Sequence, residues 1–233
     1  MTLYETIFVR RSVRQYSQTP LDALALDEIQ QYIDSAAQLS GQSAWFELVN
    51  ADKLKGSTAP HAILAHGEET DIGMTNIGYV LCELDLALQS KGYGSIIMGM
   101  AKPLSPAPDY RILLAFGNTD VPPRAGESDF KRKPVLDVSN ENNAIACTAR
   151  LAPSAVNFQP WKLQFSPGKV TVQSAGRGIG RLMMGKVQKI DLGIILKTVE
   201  IALKHEGESI TSIAPKGSGK GFSVEVMHGK QSD

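Results

Sequence analysis

The chain has 233 residues, enough for one large domain or two small intimate ones, and its 42% hydrophobic content includes no apolar run of the roughly 18 residues that a membrane span needs. Lysine plus arginine equals aspartate plus glutamate at 24 each, so bulk charge argues for neither nucleic acid nor a membrane surface as partner. The opening MTLYETIFVRR lacks the basic region, apolar stretch and cleavage site of an export signal. Cys82 and Cys147 fit no CxxC or Cys/His ligand spacing, which predicts buried free thiols in a reducing cytoplasm.

In chain order, VRRSVRQY comes first and places Arg10, Arg11, Ser12 and Arg14 within five residues. Guanidinium forks beside a hydroxyl suit a phosphate or a ring edge rich in acceptors. A solvated basic turn or a nucleic-acid contact would read the same way. Short β-branched or aromatic runs at 45–49, 62–65, 95–98 and 112–116 predict strands, with a long helix over 76–92 between the second and third. A polar connector, 117–134, follows; its Lys131, Arg132 and Lys133 are either a second lobe of a phosphate site or a charged linker. A helix reaching Leu151 then meets RLAPSAVNFQPW, whose Ser154, Asn157 and Gln159 exceed what a helix stop requires. Strands are expected at 161–165, 170–173 and 222–227, with a second long helix over 191–207 and a frayed tail after Gly229. GRGIGR at Gly176 looks like a glycine-rich phosphate loop, but no strand-to-helix unit of the required spacing frames it. The four histidines sit in no catalytic or metal-ligand spacing and read as surface or structural residues.

The two long helices are copies of one another. NIGYVLCELDLALQSKG (76–92) and DLGIILKTVEIALKHEG (191–207) align without a gap at an offset of 115 residues. Gly78, Leu81, Ala87, Leu88 and Gly92 face Gly193, Leu196, Ala202, Leu203 and Gly207, and each copy carries one apolar stripe ended by a glycine suited to the left-handed C′ position. The flanks match as well: SAAQLSGQSAWFEL precedes the first helix where CTARLAPSAVNFQPWKLQF precedes the second. These matches predict an α+β chain made of two tandem units, 1–120 and 121–229, with a tail at 230–233.

RRSVRQY, APSAVNFQPW, KGYGS after a helix, the strand RILLAFGN and then KRKPVLDV together resemble the FMN-dependent nitroreductase family. More narrowly, they resemble its fused subgroup, in which one chain imitates the usual homodimer. The resemblance covers most of residues 5–210, and its most specific part is the Pro-Ser-x-x-Asn-x-Gln-Pro-Trp string. It implies an oxidoreductase that binds FMN between the two units and passes hydride from NAD(P)H to a small-molecule acceptor such as a nitroaromatic or quinone. Carried over by resemblance, Arg10, Arg11, Ser12 and Arg14 meet the phosphate, the ribityl chain and the pyrimidine side of the ring, and Arg132 or Lys133 completes the phosphate shell. Pro153 packs on the ring, Ser154 and Asn157 hydrogen-bond to it or to its ribityl chain, and Met98 and Gly99 approach its N5. Gln159, Pro160 and Trp161 lead into a strand and fill core. The chain is short for the family, and the segments that usually wall the substrate pocket are reduced. Only the pairing of first-copy arginines with second-copy turn is complete, because QLSGQSAW lacks the Pro and Asn and GESDFKR lacks the Arg-Ser-x-Arg. One FMN per chain and a monomeric pseudo-dimer follow, with further association left open. A flavin carrier or sensor without efficient turnover, and a scaffold contacting RNA or protein, are the competing readings.

Overall fold

In the computed structural model, which describes residues 1–175, 185 and 187–230, helix and strand alternate in two successive series. The first comprises α1 (Leu3–Val9), α2 (Ala23–Ser35), β1 (Ala44–Asn50), β2 (Leu54–Lys55), β3 (His61–Gly67), α3 (Asp71–Ser90), β4 (Gly94–Met98), β5 (Lys102–Pro103) and β6 (Tyr110–Gly117). The second comprises α4 (Val135–Val138), α5 (Ala144–Ala149), β7 (Trp161–Ser166), β8 (Lys169–Ser174), α6 (Val187–His205), β9 (Glu208–Lys216) and β10 (Ser223–Lys230). Local chemistry sets the boundaries. Thr2 and Glu5 form a reciprocal capping box on α1, and Thr70 caps α3 by accepting from the Gly73 N–H. Gly92 (φ 92°) and Gly207 (φ 77°) end the two long helices in left-handed backbone, as their matched positions predict.

Each series builds one four-stranded antiparallel sheet, ordered β1-β3-β6-β4 and β7-β8-β10-β9. Numbered along the chain within its own sheet, each has the order first, second, fourth, third, and the long helix falls between the second and third of these strands in both. All seven strands expected from the sequence are present, most of them one or two residues longer. β9 was not foreseen: ESITSIAPK is half polar and carries Pro215. It occupies the edge of its sheet, where proline is tolerated because one side of the ladder is unpaired. Cys82 is buried, but Cys147 is only partly so, because α5 is short and turns that side chain outward toward Asn142. The glycine-rich run at 176–181 and the tail beyond Lys230 lie outside the described residues.

One continuous core runs through both series. At its centre α3 and α6 cross, and the crossing is made by the two matched glycines. A methyl group on Gly78 would fall on the Ile190 carbonyl; one on Gly193 would fall on the Thr75 carbonyl and lie 2.6 Å from the Tyr79 nitrogen. Both obstacles are backbone and cannot rotate away. Beside the crossing, Lys197 Nζ, 4% exposed, is held by Glu83 at 2.8 Å and Glu200 at 2.9 Å, while the Tyr79 hydroxyl donates to Glu200. This buried charge is therefore fully partnered, which is the condition for tolerating it.

Gly78→Ala and Gly193→Ala are each expected to lower unfolding free energy by more than about 3 kcal/mol, the upper range for overpacking, despite alanine's better helix propensity. Gly92→Ala, with open space around it, carries only the left-handed backbone penalty of about 1 kcal/mol. Urea denaturation of the three variants gives the ranking.

Candidate functional site

Residues 10–14 run extended past β4, where Ser12 bridges Ser95 in parallel and the Val13 N–H donates to the Ser95 carbonyl. Side chains alternate in extended backbone. Arg10, Ser12 and Arg14 thus face a common cleft, while Arg11 falls on the other side, with its N–H donating to Gln89. Arg10 is 4% exposed, and its Nε donates to Asp85 Oδ2 at 2.9 Å. The other oxygen of Asp85 accepts from Ser95 Oγ at 2.6 Å and Gln89 Nε2 at 3.0 Å. Asp85 is a site residue that the sequence did not disclose, since nothing marks it within the amphipathic pattern of α3.

The opposite wall is the turn after α5. Val156, Asn157 and Gln159 all have positive φ (46°, 58° and 51°), an unfavourable conformation for non-glycine residues and most of all for β-branched valine. The polar side chains of the string hold it there. Ser154 Oγ accepts from the Gln159 N–H at 2.9 Å, Gln159 Nε2 donates to the Asn157 carbonyl at 3.0 Å, and Lys133 Nζ donates to the Phe158 carbonyl at 2.8 Å. Asn157 Oδ1 accepts from Arg132 at 2.8 Å and its Nδ2 donates to the Lys131 carbonyl at 2.7 Å, which ties the turn to the connector.

Between these walls lies a cleft with two adjoining lobes. One, about 400 Å³, is lined by Arg10, Arg14, Arg124, Lys131, Arg132 and Asn157, with Asp129 the one acidic group at its edge. The other, about 440 Å³, is mostly apolar and is lined by Ile96 to Met100, Ile112, Pro153 to Val156, Ile190, Asp191 and Ile194. Arg10, Ser12, Arg14, Pro153, Ser154 and Val156 border both. The structure therefore brings together Arg10, Ser12, Arg14, Met98, Gly99, Arg132, Pro153, Ser154 and Asn157. Arg11 and Lys133 do not reach the cleft wall: alternation turns the first away, and the second closes the strained turn from behind.

The connector does more than link. Arg124 donates to the Arg10 carbonyl at 3.0 Å and stacks 4.4 Å over Phe130. Burial, reinforced by Arg10, Arg124 and Arg150, pushes the Arg132 guanidinium down to about 10. Burial and Arg10 likewise lower Arg124. A lobe whose cations destabilise one another in this way is relieved by an anion. In the apolar lobe, burial pushes the Asp191 carboxyl up to about 7, opposed by the Ala155 N–H that donates to Oδ1 at 2.9 Å. Asp191 Oδ2 is buried and has no hydrogen-bond partner among the described residues. The histidines have structural positions: His61 and His66 are buried, and His61 Nε2 accepts from the Leu21 N–H at 2.9 Å. No group of metal-ligating side chains occurs among the described residues, and no helix among them is long and apolar enough to cross a membrane.

The fold is antiparallel α+β, and its cleft, walled by residues 10–14 on one side and by the turn after α5 on the other, is split into a cationic and an apolar lobe. The model of the family described as "Putative TM nitroreductase" matches residues 2–203, and the chain belongs to that family. Its fold is similar to that of a protein from Thermotoga maritima described as a "putative nitroreductase", with a TM-score of 0.71 and 22% identity over 97% of this chain and 94% of that one. Lower similarity extends to a nitroreductase family protein from Clostridium difficile 630 (TM-score 0.48, 19% identity, 61% of this chain and 100% of that one). It extends also to an FMN-dependent nitroreductase from Clostridium difficile R20291 (TM-score 0.42, 18% identity, 52% of this chain and 91% of that one). No curated protein matches the chain.

The raised carboxyl of Asp191 predicts a pH dependence of stability. The folded state keeps this proton up to about pH 7 whereas the unfolded chain releases it near 3.8, so folded protein binds more protons in that window and stability falls as pH rises through it. The loss is on the order of 4 kcal/mol at most. Denaturant titrations from pH 4 to 8 are expected to show this decline in the native chain and its absence in Asp191→Asn.

Proposed function

We propose that the chain is an FMN-dependent oxidoreductase that passes hydride from NAD(P)H to a small-molecule acceptor such as a nitroaromatic or a quinone. The observation that carries this reading is the cleft itself: a cationic lobe opens directly into an apolar one, with both walls shared. The donor set fits the cofactor. Arg10, Arg14, Arg124, Lys131 and Arg132 supply the charge that a phosphate requires, and Arg132 Nε is buried with no partner among the described residues. Ser12 and Ser154 stand at the junction of the lobes, where a polyol chain would pass. Ile96, Met98, Pro153, Val156, Ile190 and Ile194 offer apolar surface to a planar ring. Bound FMN would supply the hydride-accepting and hydride-donating chemistry, so no nucleophile is demanded of the protein. The chain's own groups bind, orient and exclude water. Asn157 acts mainly through Arg132, which it holds at the lobe.

The same reading assigns one FMN to each chain, between two copies of one unit divided near residue 120. Identical strand orders and matched glycines support the duplication. In the first copy the place corresponding to the apolar lobe is filled by side chains: Gln38 Oε1 accepts from Asn76 Nδ2 at 2.9 Å and from the Ala44 N–H at 2.9 Å. Asn76 is fully buried there. Both walls of the cleft belong to one chain, so the site is complete in a monomer.

Three outcomes are expected. Purified chain reconstituted with FMN holds one flavin per 25.2 kDa, and two tightly held flavins would refute the asymmetry. In anaerobic stopped flow, NADH or NADPH bleaches the flavin band and a quinone restores it; reduction by dithionite alone would leave a flavin carrier instead of an enzyme. Arg14→Ala and Asn157→Ala each weaken FMN binding by roughly tenfold or more, the effect of one charge-assisted contact.

A further inference from the structure

The internal repeat pairs Asp191 of α6 with Asn76 of α3, and the comparison exposes a missing partner. With Trp45 and Trp161 in register, Leu39 corresponds to Ala155 and Gln38 to Ser154. In the first half Asn76 Oδ1 accepts from the Leu39 N–H at 2.8 Å, and its Nδ2 donates to Gln38 Oε1 at 2.9 Å. In the second half Asp191 Oδ1 accepts from the Ala155 N–H at 2.9 Å in the same way. The counterpart of Gln38 is gone: Ser154 is too short and already accepts from Gln159. Where the first half has a donor and a protein acceptor, the second has Asp191 Oδ2, buried and unpartnered, in the wall of the apolar lobe.

We propose that the ligand of this lobe takes the place that Gln38 occupies in the other half, and that Asp191, as the neutral acid, donates its Oδ2 proton to an acceptor on the ligand's ring. Ionisation replaces that donor with a carboxylate that repels the same acceptor. The cleft therefore holds acceptor-bearing rings more tightly at acid pH than at alkaline pH. This rests on the flavin reading only for the identity of the ring.

Among the described residues, none supplies Asp191 with a countercharge. Across the cleft, Arg10 is committed to Asp85, and Arg14 lies at the exposed junction of the lobes. On α6 itself Lys189 pairs with Asp71, just after α5 Arg150 pairs with Glu127, and the 153–159 turn and β4 carry no charged side chain. Burial holds the carboxyl far above the ordinary carboxylate range, which brings its ionisation into the neutral region.

The experiment measures dissociation constants of the full chain and of Asp191→Asn for FMN, and for riboflavin, which lacks the phosphate and its titration, between pH 5.5 and 9. Asparagine keeps a donor at every pH, as Asn76 does. The ratio of wild-type to variant constants is expected to rise by about tenfold or more from the acid to the alkaline end, with both ligands. A ratio that stays constant while both proteins bind FMN overturns the role of Asp191 and leaves the flavin reading intact. Failure of both proteins to bind either flavin at any pH overturns the flavin reading itself. Should the variant not fold, wild-type riboflavin affinity alone decides: no ring group of riboflavin titrates over most of this range, so a flat profile overturns the proposal.

Discussion

The approach of α3 and α6 at Gly78 and Gly193 is the constraint on which the rest of the molecule depends. Two helices whose backbones touch must hold one crossing geometry, since a side chain at either point would separate them. Each helix is covered by its own four-stranded sheet, so the crossing fixes how the two sheets face each other. It also fixes the cleft. Asp85 and Ile190 stand on the crossing helices, the first anchoring Arg10 and the second lining the apolar lobe. Both residues are carried on helices whose separation the glycines set.

Much of this was legible in the sequence because it rests on periodicity. The apolar stripes of the long helices, their terminal glycines and the offset of 115 residues read directly as a repeated helical unit. The arginine string is legible too, but not its two faces: the expectation includes Arg11, which the extended backbone turns away from the cleft. Other parts left no such signal. Asp85 lies among apolar neighbours on a buried helix, and only the tertiary placement of Arg10 against it reveals its purpose. Arg124 sits in a Pro-rich connector that reads as a linker, and its role follows from a carbonyl of residue 10 that no local pattern predicts. The surplus of polar side chains in PSAVNFQPW was visible at once. What they bond to was not, because three left-handed residues in one short turn are a property of the fold rather than of the composition.

The two halves show how one framework can be kept for different ends. Asn76 and Asp191 occupy the same step of the same helix, and each accepts a backbone N–H from the turn beside it. In the first half the remaining polar valence is closed internally by Gln38, and the region becomes ordinary core. In the second, a serine in place of the glutamine leaves room and an unanswered oxygen. Among the described residues, the non-glycine positions with positive φ all fall on this second turn, which forms one wall of the cleft.

Since the wall formed by residues 10–14 and the wall formed by residues 153–157 are joined through one backbone, the connector at 117–134 sets their mutual concentration, and dilution cannot separate them. A ligand site divided between separate subunits weakens as protein becomes scarce, because mass action takes the walls apart before it releases the ligand. Walls carried by one backbone escape that loss. The residues that face each other across the cleft then stay within reach of one another at any protein level.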